Sequence, residues 1–448
     1  MPDRKKESGD RTIIDHNIPT LGPAKIKSPL PLSFIQDTAG VLIHIRADCE
    51  KGICDINPSY FQEAGPREKI YFDPPKTKCA IVSSGGLCPG TNDVIRAIVM
   101  EAKHAYGVHT ILGIRYGLEG FIPKYGHEVM ELTPENVASI HEFGGTILGS
   151  SRGPQPPVEI ADTLERMNIS SLFLIGGDGT MRAAEKIQKE VGKRGLKISI
   201  IGIPKTIDND IKFISRSFGF DTAVEKATEA IRSAHTEALG ACNGVGLVKV
   251  MGREAGFIAA QAALALKDVN FVLVPEDPFD IHGPNGLLQV LEKRLERRKH
   301  AVIVVAEGAG HDLVQSSGTD ASGNPVLGDI SGLLISEIKQ YFKDKNIPLT
   351  LKFIDPSYII RSVPANSNDR VYCGFLGQNA VHAAMAGKTG AVVSKLHGKY
   401  VHIPLHLVTS GRKRLDPHSN YWQSIVESTG QPISLKNPPE QSPAKEEK

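Results

Sequence analysis

Within the 448 residues no stretch approaches the run of roughly 18 apolar residues that a spanning helix requires, which excludes a helical membrane protein. No sign of charge dominates either. Lys+Arg number 52 against Asp+Glu 50, a formal net charge of +2, so no whole-molecule field gathers nucleic acid or anionic lipid and any anion binding must be local. Cysteine is scarce, with six in the whole chain. Cys49 and Cys54 form the closest pair, Cys88 and Cys373 are isolated, and without a second matched pair both a disulfide scaffold and a zinc site lose their basis. Cys79 and Cys242 stand among apolar or small residues and read as reduced core thiols. The opening, Met1 to Ser8, lacks the apolar stretch of a secretory signal, and the final Glu-Glu-Lys is not a peroxisomal address, so a soluble, cytoplasmic protein is expected.

What is present is a chain that is 40% hydrophobic and long enough for two or three domains. Residues 1–75 are irregular and rich in Pro and charge, with one apolar stretch around Gly40 to Arg46, and read as an N-terminal extension. From Cys79 onward, short apolar runs ending in Gly or Pro alternate with helical periods, the pattern of an α/β protein with mainly parallel sheets. Strands are predicted at Cys79–Ser83, Thr110–Arg115, Ser171–Ile175, Ile198–Ile203, Gly246–Val250, Asn270–Val274 and His300–Ala306, and helices at Asp93–Tyr106, Ala184–Arg194, Thr222–Leu239 and Gly286–Lys299. The basic residues from Lys293 to Lys299 fall on the last helix and read as a solvated face. The Pro- and charge-rich end, residues 433–448, is expected to be a flexible tail.

Three glycine or polar turns each follow an apolar strand, where α/β sheets put ligands. Ser84 to Asn92 contains Gly85, Gly86 and Gly90 and leads into a helix whose N-terminus favours phosphate. Taken alone it is a tight turn. Gly176-Gly177-Asp178-Gly179-Thr180 is more specific: glycines admit polyphosphate close to backbone, Thr180 donates to a phosphate oxygen, and Asp178 is placed for Mg²⁺. The same five letters occur in NAD kinases and lipid kinases. Pro204 to Asp210 carries Lys205, Thr206, Asp208 and Asp210, a set suited to taking a proton from an attacking hydroxyl and orienting it, although Asp-Asn-Asp also makes Asx turns. Gly387-Lys388-Thr389 imitates the end of a P-loop, but His382 stands where its first glycine belongs.

Together these turns resemble the phosphofructokinase family over roughly Cys79 to Leu407, along with Gly145 to Arg152, Met251-Gly252-Arg253, Glu307 and Pro356 to Arg361. The extension and the Ile354 to Arg361 string are most similar to the long-chain ATP-dependent branch of trypanosomatids, plants and some bacteria. The resemblance implies two Rossmann-like lobes with the site between them: a phosphate-donor lobe of residues 76–220 and 360–406, and a sugar-phosphate lobe of 221–359 and 407–432. It implies glycolytic phosphorylation of fructose 6-phosphate at its 1-hydroxyl, with ATP and Mg²⁺. Asp208 would be the base, with Thr206 and Asp210 shaping the site, and Arg253 and Arg152 would neutralise phosphoryl charge. Gly86, Arg152, Gly153, Gly177, Asp178, Gly179 and Thr180 would hold nucleotide, with Asp178 on the metal. Thr206, Ile207, Asp208, Met251, Gly252, Arg253, Glu307, Lys352, Tyr358, Ile359, Ile360 and Arg361 would hold the sugar phosphate.

Lys352 stands where short bacterial relatives carry Arg, and Gly244 where they place an Arg reaching in from a neighbouring subunit, so Gly244 takes no role. Donor choice rests on Gly179 and Lys205. A carboxylate at 179 would repel the α-phosphate of ATP, whereas hydrogen leaves room; Lys205 suits ATP or pyrophosphate, and ATP is favoured over that alternative. A homotetramer with effector sites between subunits is expected by resemblance. The competing expectations are an NAD or lipid kinase, which has no need of Asp208, Tyr358 and Arg361 together, and a regulatory paralogue without turnover, which has no need of an intact base and metal ligand.

Overall fold

The computed structural model describes residues 15–31, 33–45, 48–50, 53–55, 59–314, 318 and 326–438. Two sheets organise them. The larger has nine strands, in the order Gly40–Leu42, Tyr60–Glu63, Lys399–Pro404, Ala391–Leu396, Ser199–Pro204, Ser171–Gly176, Lys78–Ser83, Thr110–Ile114 and Val129–Glu131. The five from Ala391–Leu396 to Thr110–Ile114 are parallel, and the three strands beyond one side and the one beyond the other join antiparallel. Ser171–Gly176 and Ser199–Pro204 are buried along their whole length, as continuous apolar runs covered on both faces must be. The smaller sheet is fully parallel: Phe271–Leu273, His300–Ala306, Gly244–Val250 and Thr350–Ile354.

Alternation along the strands divides the core into layers. Ala80, Val82, Leu172 and Leu174 face helix Asp178–Lys193 through Met181, Ala184 and Ile187. Ile81, Phe173 and Ile201 face the other way, onto helices Thr91–Met100 and Ser367–Met385 and, through helix Phe220–Leu239, onto Val248, Val250 and Val304 of the smaller sheet. That layer joins the two sheets. Asp369 reinforces the joint from Ser367–Met385 by accepting from Thr222 N at 2.9 Å and Thr222 Oγ1 at 2.6 Å.

The predicted strands and helices are all present, their ends displaced by a few residues. The largest displacement is in the second glycine turn, where the helix begins at Asp178 rather than Ala184, so Asp178, Gly179 and Thr180 lie in its first turn. The described part of the N-terminal extension joins the fold, for its strands Gly40–Leu42 and Tyr60–Glu63 continue the larger sheet, and Arg67, 5% exposed, is held by Asp37 Oδ1 at 2.9 Å. Two expectations need correction. Residues 433–437 are not free: Leu435 is buried, and Asp280 receives Lys436 Nζ at 2.9 Å and Asn437 N at 2.7 Å. Cys242 is exposed, because it lies in the turn between helix Phe220–Leu239 and the next strand. Residues 1–14 and 439–448, and the side chains of Cys49 and Cys54, lie outside the described residues.

Two sequence features prove structural. Lys388 of the false P-loop turns inward to Asp37 at 2.9 Å while its carbonyl accepts from Ser199 Oγ at 2.6 Å. A side chain at Gly244 would place its Cβ 2.1 Å from the Ala238 carbonyl oxygen, so the approach of helix to strand forbids one there.

Candidate active site

Strands Ser199–Pro204, Ser171–Gly176 and Lys78–Ser83 are parallel neighbours, so the three turns emerge side by side at their carboxyl ends. From Lys78–Ser83 the chain runs first to Thr110–Ile114 on one side and later to Ser171–Gly176 on the other, which opens a crevice at that reversal. Backbone bonds tie the turns together, Ser84 N to Ile175 O at 3.0 Å and Lys205 N to Gly176 O at 2.8 Å. Loop 150–152 lies along the first turn, with Ser150 Oγ donating to Gly85 O at 2.6 Å and Gly85 N to Ser151 O at 3.1 Å. In the second turn, a Cβ at Gly176 would sit 2.2 Å from Thr180 Oγ1, whereas one at Gly179 would meet nothing within 4 Å. The first glycine is required by packing and the last looks onto open space.

Opposite, the carboxyl ends of Gly244–Val250 and His300–Ala306 present Met251 to Arg253 and Glu307, with Glu307 N donating to Val250 O at 2.9 Å and Gly308 N to Gly252 O at 3.1 Å. Between the lobes lies a cleft of about 770 Å³. Gly86, Arg152, Gly153, Gly177, Asp178, Gly179, Thr180, Lys205, Thr206, Ile207, Asp208, Asp210, Met251, Arg253 and Arg361, drawn from separated segments, all line it. Its charged lining comprises Arg152, Arg182, Lys186, Lys205, Arg253, Arg361 and Arg412 against Asp178, Asp208 and Asp210. A nearly neutral chain thus concentrates cation in one crevice, the local anion site that its net charge required.

The carboxylates differ in their surroundings. Burial, with the negative charges of Asp210 and Glu307, pushes the Asp208 carboxyl well above its ordinary range, and the guanidinium groups of Arg412 and Arg361 pull only partly back. Asp208 Oδ1 is buried and has no hydrogen-bond partner among the described residues, while Asp208 N donates to Thr206 Oγ1 at 3.1 Å and Thr206 Oγ1 donates to Asp210 Oδ1 at 3.0 Å. Asp210 is also raised, chiefly by burial, with Arg412 and the Thr206 hydroxyl opposing. Asp178 is paired with Arg182 at 3.0 Å and Arg412 at 3.7 Å and looks into the cleft. Lys205 is buried with its ammonium on the Gly86 carbonyl, which braces the first turn, and burial lowers its proton affinity.

Gly252, Glu307, Lys352, Tyr358, Ile359 and Ile360 stand outside the lining. Glu307 is close behind it, its carboxyl raised by burial and countered by Arg253, Lys249 and Arg361. Tyr358 is 76% exposed with Arg361 5.0 Å from its ring centre. Lys352 pairs with Glu237 at 3.4 Å, because alternation on Thr350–Ile354 turns its side chain onto helix Phe220–Leu239. Ile359 is exposed, and Ile360 is fully buried in the core, so its side chain is packing and not a ligand contact. The sequence reading missed Arg412, Arg182 and Lys413. Lys413 Nζ donates to Asn209 Oδ1 and Ile214 O, each at 2.8 Å, clamping the loop that carries Asp208 and Asp210, and burial brings its pKa to about 7. The only signal for Arg412 and Lys413 was the run Arg412-Lys413-Arg414, indistinguishable in sequence from a surface patch.

Comparison with known proteins gives a consistent likeness. Residues 78–384 match the family model described as phosphofructokinase. The ATP-dependent 6-phosphofructokinase of Borreliella burgdorferi is 49% identical over 440 residues, 95% of this chain and 98% of that one. The enzyme of the same name from Trypanosoma cruzi is 45% identical, over 84% of this chain and 77% of its own. Among solved structures, a pyrophosphate-dependent phosphofructokinase from Marinobacter aquaeolei aligns with TM-score 0.65 at 20% identity, over 82% of this chain and 94% of that chain. Pichia pastoris phosphofructokinase aligns with TM-score 0.61 at 20% identity, over 79% of this chain and only 39% of that longer one. At such identities the solved structures speak to the fold alone.

Proposed function

The chain belongs to the phosphofructokinase family, and we propose from that premise that it transfers the γ-phosphoryl group of ATP to the 1-hydroxyl of fructose 6-phosphate, forming fructose 1,6-bisphosphate in glycolysis. The observation that carries this reading is the buried Asp208 Oδ1, without a partner among the described residues, in a cation-lined cleft. A buried acceptor without a partner costs about 1–3 kcal/mol, which the hydroxyl of an incoming sugar would relieve. With its proton affinity raised, Asp208 is suited to take the hydroxyl proton as the new bond to phosphorus forms. Thr206 and Asp210 hold the loop's shape. Arg253, Arg152 and the N-terminus of helix Asp178–Lys193, all in the cleft lining, would face the oxygens on which charge accumulates.

Asp178 suits Mg²⁺: among the described residues no three His, Cys, Asp or Glu side chains form a protein cage, and Mg²⁺ typically binds through one or two carboxylates plus substrate phosphates. When bound there, Mg²⁺ would supply charge neutralisation on the donor phosphates. We assign residues 76–220 and 360–406 to the donor lobe and 221–359 and 407–432 to the sugar lobe. Sugar recognition is assigned to Thr206 to Asp208, Met251 to Arg253 and Arg361, with Glu307 behind them. ATP as donor is supported by the open space at Gly179 and by the ATP-dependent relatives. An oligomer, tetrameric by family likeness, is supported by exposed Phe143, Val371 and Phe375. No described helix is long and apolar enough to cross a membrane, and a cytoplasmic location is proposed.

The test is product formation from fructose 6-phosphate and Mg²⁺ with ATP and, separately, with pyrophosphate. Turnover with ATP is expected; turnover with pyrophosphate alone would reverse the donor assignment. The same assay reads the base. Asp208 acts ionised and its carboxyl is raised, so kcat/KM is expected to fall as pH drops through an apparent pKa above the ordinary Asp value of about 4. Asp210→Asn removes a negative neighbour, eases ionisation of Asp208, and is expected to move that limb to lower pH. A limb that stays in place would separate the pH dependence from Asp208.

A further inference from the structure

We propose that Arg412 is a further catalytic residue of this site, donating hydrogen bonds to the oxygens of the phosphoryl group as it passes from donor to acceptor. The inference rests on the phosphoryl-transfer reading above. Arg412 lines the cleft, with Nη2 3.7 Å from Asp178 Oδ2 and Nη1 3.6 Å from Asp210 Oδ2. It therefore spans the second turn, where the donor is proposed to lie, and the third, which carries the proposed base. Both separations exceed hydrogen-bond reach. Among the described residues its guanidinium makes no hydrogen bond, although its side chain is only 26% exposed. A half-buried fork of five N–H donors held near two carboxylates, with its hydrogen bonds unspent, matches the oxygens of a phosphoryl group.

The backbone on either side is pinned, so the fork is held before substrate arrives. Upstream, Thr409 Oγ1 donates to Glu185 Oε2 at 2.7 Å on the helix of the second turn. Arg412 itself bridges Ile211, and Lys413 N donates to Asp210 O at 2.8 Å. Downstream, Arg414 pairs with Glu254 at 3.0 Å and Leu415 N donates to Glu276 Oε1 at 2.8 Å, both on the sugar side. The three consecutive basic residues thus have three different tasks: Arg414 anchors the segment to Glu254 on the sugar side, Lys413 clamps the catalytic loop, and Arg412 faces the reacting atoms. In the step, the bond from phosphorus to the β-phosphate oxygen breaks with its electron pair left on ADP. The bond to the sugar oxygen forms, and the hydroxyl proton goes to Asp208. Arg412 stays protonated and supplies hydrogen bonds only.

The experiment compares the unaltered protein with Arg412→Ala and Arg412→Lys in steady-state kinetics, thermal unfolding, and rescue of Arg412→Ala by millimolar guanidinium. For Arg412→Ala, kcat is expected to fall by about 10²- to 10³-fold with KM values within about threefold, as for a donor engaged only in the transition state. The unfolding midpoint should hold, guanidinium should restore part of kcat, and Arg412→Lys should lie between. A variant that keeps kcat within about threefold of the unaltered protein overturns the proposal. So does a loss of kcat that accompanies a lower unfolding midpoint and is not rescued, because Arg412 would then act only by holding Asp178 and Asp210 in place. Absence of sugar-phosphate turnover in the unaltered protein would instead sink the reading on which the proposal rests.

Discussion

Replacing Asp208 by Asn is expected to lower kcat by about 10²- to 10⁴-fold, the range for removing a positioned general base, while fructose 6-phosphate still binds. Asn keeps the size of the side chain and the backbone donation from Asp208 N to Thr206 Oγ1, so the loop retains its shape. It cannot accept the hydroxyl proton. The substitution also removes a charge that Asp210 and Glu307 repel and that burial penalises, so the folded protein should be no less stable than the parent. Calorimetric titration with fructose 6-phosphate, beside steady-state assays, separates the two effects. A variant with turnover within about threefold of the parent would show that the proton leaves by another route.

Gly179→Asp is expected to cut kcat/KM for ATP by about 10²-fold. Two unit charges about 4 Å apart repel by roughly 4 kcal/mol at the effective dielectric of a protein surface, and solvent in the open cleft reduces that. Gly179→Ala is the control. A Cβ at this position meets nothing within 4 Å, and Ala favours the first turn of helix Asp178–Lys193, so the fold should be unchanged. ATP use should then fall in Gly179→Asp far more than in Gly179→Ala, measured with fructose 6-phosphate saturating. Equal losses in both variants would mean that volume, not charge, excludes the nucleotide, and no loss in either would remove Gly179 from donor selection.

The three turns are legible in the sequence because each is a local device. A buried parallel strand ends in glycine, the next helix starts within a few residues, and phosphate-binding chemistry follows from those few positions. Asp208 is legible for the same reason. The surroundings of Lys352 and Ile360 are not legible in a motif, which names positions and not directions: alternation on a strand turns one toward Glu237, and a short helix buries the other. The early segment looks irregular because its strands are only a few residues long and Tyr60–Glu63 gains its partner from Lys399–Pro404, more than three hundred positions away.

Residue order alone carries the α/β class, the three strand-end turns, the candidates for base and metal carboxylate, and the family likeness that unites them. These depend on backbone conformation and residue type within short windows. Packing alone decides that Asp208 Oδ1 is buried without a partner among the described residues, that Asp178 and Asp210 share one guanidinium, and that Lys413 clamps their loop. Burial and electrostatic potential sum over every group packed nearby. Here the decisive groups come from residues 178, 208, 253, 361 and 412, with Glu307 close behind them, which only the meeting of two sheets brings to one cleft.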